Sequence, residues 1–127
     1  MKTSPMPDEL TAYARGVMGE TAACDHLCRK GMEILDRRYR SPHGEIDLIM
    51  LDGEVLVFVE VKTRSKLGRM HAQYAITPDK QRRMMESVRY YLAEHREHCQ
   101  RMMRFDVVTV AADGICHLPN AFEGAAW

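Results

Sequence analysis

The chain has no surplus of either charge. Its 18 Lys and Arg balance 18 Asp and Glu over 127 residues, so no global field draws it to nucleic acid or to a membrane. It has no segment that reads as a spanning helix and nothing at the N-terminus that resembles a signal peptide. Its four cysteines, Cys24, Cys28, Cys99 and Cys116, form neither a CxxC pair nor a zinc-ribbon spacing. A reduced, cytoplasmic protein that does not contact membranes is therefore expected. His95, His98 and Cys99 stand near the end of a predicted helix, where a solvated terminus is a commoner explanation than zinc. Repeats, long linkers, a recognition helix, a zinc finger and a series of stacking aromatics are all missing. A single domain is expected over residues 1–127, with its core over about 8–118 and flexible ends.

What is present is charge in the wrong place for an ordinary core. Gly44-Glu45-Ile46-Asp47 and Val59-Glu60-Val61-Lys62 put three carboxylates and a lysine into segments that otherwise read as apolar strands, and a buried strand rarely tolerates a charge without a task. Asp52-Gly53 between the two runs is a strong two-residue hairpin signal. With Leu51 opposite Glu54, Asp47 faces Phe58, Glu45 faces Glu60 and His43 faces Lys62. Alternation then projects Glu45, Asp47, Glu60 and Lys62 to one side, and only a bulge would break that parity. Asp47 and Glu60 become diagonal neighbours, roughly 7 to 8 Å apart at the backbone. Like-charged carboxylates at that spacing repel, and a hard cation such as Mg²⁺ or Mn²⁺ relieves the repulsion. An ion-pair ladder on a solvated sheet face would explain a generic Glu-x-Lys. Leu56 and Phe58 on the same face favour a site instead.

The rest of the chain reads as helix, three strands, helix, two strands. The first helix is predicted from about Asp8 to Lys30, with Leu10, Ala14, Val17, Thr21, Cys24 and Cys28 on its inner stripe, Glu20 at the stripe's edge and Gly31 as a stop. Glu33 to Tyr39 reads as a strand with a basic end in Arg37, Arg38 and Arg40. After the hairpin, an irregular basic segment runs from Thr63 to Ala75. Thr77 caps a second helix with Pro78 at its first position and Met84, Met85, Val88, Tyr91 and Leu92 as its buried stripe. Arg104 to Ala111 and Gly114 to Leu118 complete the strands. From Lys62 to Arg83 the chain carries Lys62, Arg64, Lys66, Arg69, Lys80, Arg82 and Arg83 against Asp79 alone, a local basic strip directly after the carboxylates.

Gly16-Val-Met-Gly19-Glu20, then Gly44-Glu45-Ile46-Asp47-Leu48-Ile49, Val57-Phe58-Val59-Glu60-Val61-Lys62-Thr63-Arg64, Lys80 and Arg104-Phe105-Asp106-Val107-Val108 closely resemble the YraN-like family of small bacterial proteins, over about Ala14 to Val110. That family looks like a branch of the restriction-endonuclease-like superfamily and is similar to archaeal Holliday-junction resolvases. The resemblance implies an α/β fold with a three-layer α/β/α core around a mixed sheet of about five strands, in the order αβββαββ. It implies a metal-dependent endonuclease, using Mg²⁺ or Mn²⁺, that hydrolyses phosphodiester bonds in branched or junction nucleic acid, with DNA favoured over RNA. Carried over residue by residue, Asp47 and Glu60 are metal ligands, Lys62 assists the attacking water and Glu20 is the helix carboxylate. Glu45 is a second metal ligand or the partner of an arginine such as Arg40. Arg64, Lys66, Arg69, Lys80, Arg82 and Arg83 would bind backbone phosphates without reading sequence. A homodimer is compatible with the resemblance, with Phe122 and Trp127 of the apolar C-terminus as contacts. Two other classes stay open: a nucleic-acid-binding module with a nuclease-like fold that acts through a partner protein, and an interaction protein whose charges form only a structural network.

Overall fold

In the computed structural model, which describes residues 12–67 and 76–122, the chain runs α1 (Ala12–Arg29), β1 (Glu33–Ser41), β2 (Gly44–Asp52), β3 (Val55–Arg64), α2 (Pro78–Glu94), a short 3₁₀ turn (Arg96–His98), β4 (Met103–Ala111) and β5 (Gly114–Phe122). The expected order of elements is the observed one. The five strands form one sheet in sequential order, antiparallel except where β3 pairs parallel with β4. A helix lies on each side. α1 packs on a cluster of Leu48, Met50, Val57, Val59, Val108 and Val110 through Ala23, Cys24 and Leu27. α2 covers Ile46, Ile49, Leu56, Phe58, Phe105 and Val107 with Met84, Met85, Val88 and Tyr91. Covered on both faces, β3 is apolar from Val55 through Val59 with no alternation, as central strands of such sheets are. Among the described residues no helix is long and apolar enough to cross a membrane.

Local sequence explains the ends of the helices. The Thr77 hydroxyl accepts the Lys80 N–H at 3.1 Å, and Pro78 occupies a position whose N–H has no helical partner. At the end of α1 the Met32 N–H bonds Leu27 O and the Gly31 N–H bonds Cys28 O, which satisfies carbonyls the helix leaves open. The stripe predicted for α1 is out of phase. Glu20, Ala23, Cys24 and Leu27 are buried, whereas Thr21 and Cys28 are exposed. Leu27, not Cys28, fills the layer between α1 and the sheet. Leu10, the helix start at Asp8 and Trp127 lie outside the described residues. Phe122 is stacked on Phe105 at 4.5 Å between ring centroids and is partly buried against the core.

The hairpin register differs from the expected one by two residues. Asp52 pairs with Val55 and Leu51 with Leu56, so the turn is Gly53-Glu54, with φ of +61° at Gly53. A two-residue turn needs that left-handed conformation at its first position, where glycine carries no Cβ penalty. A shift of two leaves each residue's face unchanged.

The faces change for another reason. Tyr39 pairs with Ile46 and both lie in the α2 layer, but two residues away Arg37 pairs with Leu48, and Leu48 belongs to the α1 layer. Strict alternation would keep 46 and 48 together. Arg38, between Arg37 and Tyr39, adopts φ of +54°, and the pleat reverses across Arg38 and Asp47. The four charged residues therefore do not share one side as alternation predicts. Glu45 and Asp47 bring carboxylate oxygens to Glu20 of α1, while Glu60 stays with Leu56 and Phe58 and meets Lys80 of α2.

α1 reaches β3 closely because position 19 has no side chain. A Cβ on Gly19 would stand 2.6 Å from Thr63 Cγ2, a contact that the short, branched threonine cannot yield without moving. Exposed helix positions gain roughly 1 kcal/mol when Gly becomes Ala, but overpacking here should cost about 1–3 kcal/mol and win. Gly19→Ala is expected to lower stability in urea unfolding, and Thr63→Ser in the same chain to recover most of the loss. A Gly19→Ala protein as stable as the parent would contradict the close approach.

Candidate metal centre

Four elements converge where β2 and β3 part. The β2–β3 ladder runs from Asp52↔Val55 to Leu48↔Val59. Beyond it the Asp47 carboxylate, not a strand carbonyl, takes the Val61 N–H at 2.7 Å. A side chain has replaced one rung of the sheet, and the gap it holds open is lined by acids. Glu20 from α1 and Glu45 and Asp47 from β2 each present a carboxylate oxygen within 4.8 Å of the others. Glu60 is 7 % exposed, as is Glu20. It stands apart from this triad, with Lys62 Nζ at 3.8 Å and Lys80 Nζ at 3.6 Å.

The acids are held near one another at an electrostatic cost. Burial, then the charge of Glu60, push the Asp47 carboxyl up to about 7, against the pull of the Val61 N–H; Glu20 adds to the rise and Lys80 opposes it. Glu20 is also raised, by burial first, with Glu45 adding and Arg38 opposing. Each remaining charge has a cation at hand. Arg38 Nε lies 3.2 Å from Glu20 Oε1, and Arg40 Nε donates to Glu45 Oε2 at 3.0 Å, the arginine contact left open for Glu45 in the sequence. Even so, Glu20 Oε1 and Glu60 Oε2 are buried and accept no hydrogen bond. Carboxylate oxygens with unused lone pairs, clustered and mutually repelling, are the donor set of a hard divalent cation. The residues fit such an ion, with Glu20, Glu45 and Asp47 as its first candidates and Glu60 beside them.

The basic strip is only partly gathered here. Lys80 reaches Glu60, and Arg83 lines a crevice of about 30 Å³ with His43, Gly44, Glu45, Lys80, Met84 and Ser87. Arg82 and Arg83 both pair with Asp79 on the exposed first turn of α2. Arg64 donates to the neighbouring Thr63 carbonyl, and Lys66 is exposed. Arg69 lies outside the described residues. Arg38 was not found from the sequence as the counter-ion of Glu20, because nothing in an Arg-Arg-Tyr-Arg run announces a left-handed arginine.

A second charged cluster, on β4, is of the opposite kind. Asp106 is fully buried. It accepts from Arg104 Nε at 2.8 Å, Arg104 Nη2 at 3.0 Å, the Asn120 N–H at 3.0 Å and His117 Nε2 at 2.7 Å. Lys30 Nζ, a donor only, stands 2.9 Å from His117 Nδ1, so the histidine donates through Nε2. Arg104 also reaches Asp52 at 3.0 Å. Burial alone would raise the Asp106 carboxyl, but His117, Arg104 and the Asn120 N–H outweigh it and the net shift is downward. With its oxygens fully engaged, Asp106 ties β4, β5, the hairpin and α1 together and offers nothing to a ligand. The Arg-x-Asp pair inside an apolar strand was the signal for it.

The two clusters predict opposite responses to pH. Asp106 is lowered on folding, so its stabilisation is present above the ordinary carboxylate value and lost as pH falls through its folded value. Asp106→Asn is expected to cost about 3–5 kcal/mol at neutral pH, since it removes the buried charge that holds Arg104 and His117 and leaves half-buried Arg104 with Asp52 alone. Asp47 is raised on folding, so it weakens the fold increasingly as pH climbs from about 4 towards about 7, and Glu20, also raised, acts in the same direction. In chelator, the melting temperature of Asp47→Asn should exceed that of the parent at pH 8, and the two should converge at pH 4. Identical pH profiles would contradict the strained placement of Asp47.

Relatives match this chain over most of its length and most of their own. A protein from Rhodopseudomonas palustris (strain BisB18) is 40% identical over 120 residues, covering 94% of this chain and 87% of that protein. One from Alkalilimnicola ehrlichii is 45% identical over 107 residues, covering 84% and 85%, and one from Bradyrhizobium diazoefficiens is 38% identical over 120 residues, covering 94% and 89%. All three are named as UPF0102 proteins. The model of the uncharacterised protein family UPF0102 matches residues 19–110, a span that begins at the glycine beside Glu20 and takes in every carboxylate of the centre. The chain belongs to the uncharacterised protein family UPF0102, the YraN-like family whose motifs it carries.

Proposed function

We propose that this protein is a metal-dependent endonuclease of the restriction-endonuclease-like class, hydrolysing phosphodiester bonds in branched or junction DNA. The observation that carries the reading is the convergence of Glu20, Glu45 and Asp47 within 4.8 Å, beside Glu60 and Lys62 on the next strand. Glu20, Glu45 and Asp47 would hold Mg²⁺ or Mn²⁺, with Glu60 as a further ligand once its lysines are drawn to phosphate. Such an ion, when bound, lowers the pKa of a water and neutralises charge on a phosphoryl oxygen. Lys62, 3.8 Å from Glu60, places a positive donor where the phosphorane charge develops. Lys80 neutralises Glu60 on the α2 side. Arg64, Lys66, Arg69, Arg82 and Arg83 would bind backbone phosphates, giving affinity for shape and not for sequence.

One observation favours the binding-only reading: the two Glu60 oxygens face Lys62 and Lys80, outside the acidic triad. Cleavage separates the two. Incubated with linear, single-stranded and four-way-junction DNA in Mg²⁺ or Mn²⁺, the protein is expected to cut the branched substrate, and Lys62→Ala to lose about a hundredfold or more in rate. Binding without cleavage in the parent protein would favour the binding module. Cleavage that survives Lys62→Ala unchanged would sink the proposed mechanism.

A further inference from the structure

The nuclease reading gives no task to Ser87 and Tyr90, which continue a strip of α2 leading away from the acids. Lys80, Arg83, Ser87 and Tyr90 recur at helical spacing and so lie on one stripe, about 15 Å long at ~1.5 Å per residue. The turn between β1 and β2 forms the opposite wall. Ser41 Oγ bonds Ser87 Oγ at 2.8 Å, fixing the turn to the helix, and Lys80, Arg83, Glu45 and His43 line the crevice between them. At the far end Tyr90 is 43% exposed, and its ring meets that of His43 at 5.5 Å between centroids with the planes 51° apart. Tyr90 is one of two large hydrophobic side chains left exposed among the described residues. It stands at the end of a strip whose two cations, Lys80 and Arg83, pair with Glu60 and Asp79 and would exchange those carboxylates for phosphates.

A duplex presents phosphates to such a track but keeps its bases stacked inside. An unpaired strand presents both, and a base stacked on an aromatic ring beside a backbone-binding groove is how single strands are held without sequence readout. We propose that Lys80, Arg83, His43 and Tyr90 form a subsite for an unpaired nucleic-acid strand, with backbone phosphates at the two cations and one base stacked on Tyr90. This rests on the nuclease reading and narrows its substrate to nucleic acid with a single-stranded arm or end beside the scissile bond.

Binding can be measured apart from cleavage. With divalent ions chelated, fluorescence anisotropy would compare a fluorescein-labelled single-stranded DNA, its ribose counterpart and a blunt duplex of the same length. The single strands should bind more tightly than the duplex, with the two sugars telling which source of unpaired strand is preferred. Tyr90→Ala should weaken single-strand binding roughly tenfold, the loss of one base–aromatic stack, and leave duplex binding unchanged, while Tyr90→Phe retains the parent affinity. Arg83→Ala should weaken both and flatten the salt dependence. Because Tyr90 is exposed, the variants should melt with the parent, and Tyr90→Phe controls for any that do not. Single-strand binding indifferent to Tyr90→Ala, or lost equally on duplex, would overturn the subsite alone. Failure to bind any oligonucleotide would overturn it together with the nucleic-acid reading.

Discussion

The hydrogen bond from the Val61 N–H to the Asp47 carboxylate organises the rest of the molecule's chemistry. In a continuous antiparallel pair that N–H would belong to the ladder, β2 and β3 would stay together, and strict alternation would carry Asp47 and Glu60 on the same face. Giving the donor to a side chain ends the ladder at Leu48↔Val59 without leaving a buried amide unsatisfied. The neighbouring strand adapts through Arg38, whose left-handed backbone reverses the pleat of β1 and whose guanidinium then sits against Glu20. One local exchange of partners therefore opens the sheet, brings the Glu45 and Asp47 carboxylates to Glu20 of α1 and supplies a counter-ion to the helix carboxylate.

The two ends of the sheet handle buried charge in opposite ways. Around Asp106 a bidentate arginine, a histidine and a backbone N–H fill its acceptor positions, and the result is a fixed, unreactive clamp on β4, β5, the hairpin and α1. Around Asp47 the acids outnumber what hydrogen bonds can settle: burial and mutual repulsion raise the Asp47 and Glu20 carboxyls, and two buried carboxylate oxygens accept no hydrogen bond. A fold that satisfies a buried aspartate completely in one place and leaves two buried glutamate oxygens without a hydrogen bond in another has concentrated its electrostatic tension at one spot, which is where perturbed acids and ligand sites coincide. Gly19 belongs to the same design, because only a residue without Cβ lets α1 come near enough to β3 for Glu20 to join.

The architecture was legible in the sequence because its signals are local. Thr77-Pro78 starts a helix, Gly31 ends one, and apolar runs bounded by turns mark strands whichever partners they find. The identity of the acids was legible too, since charge inside an apolar strand stands out. Their arrangement was less so. The hairpin signal Asp52-Gly53 was displaced by one position because the left-handed residue must come first in the loop. The common face failed because alternation is a rule for regular strands, and a positive φ at an arginine has no sequence signature. On α1 the polar and apolar positions fit two stripes one residue out of phase, and only packing chose between them. The meeting of His43 and Tyr90 joins residues 47 positions apart through the Ser41–Ser87 bond, which no period along the chain could have suggested.

Glu20, Glu45 and Asp47 are proposed to form a site for one divalent cation. Calorimetric titration of Mn²⁺ into the chelator-treated protein tests it most directly. One ion per chain should bind with release of protons at pH near 7, since ligation demands the ionised acids. Asp47→Ala and Glu20→Gln should each abolish that binding while the chains stay folded. No binding to the parent protein, or binding that survives both substitutions, would contradict it.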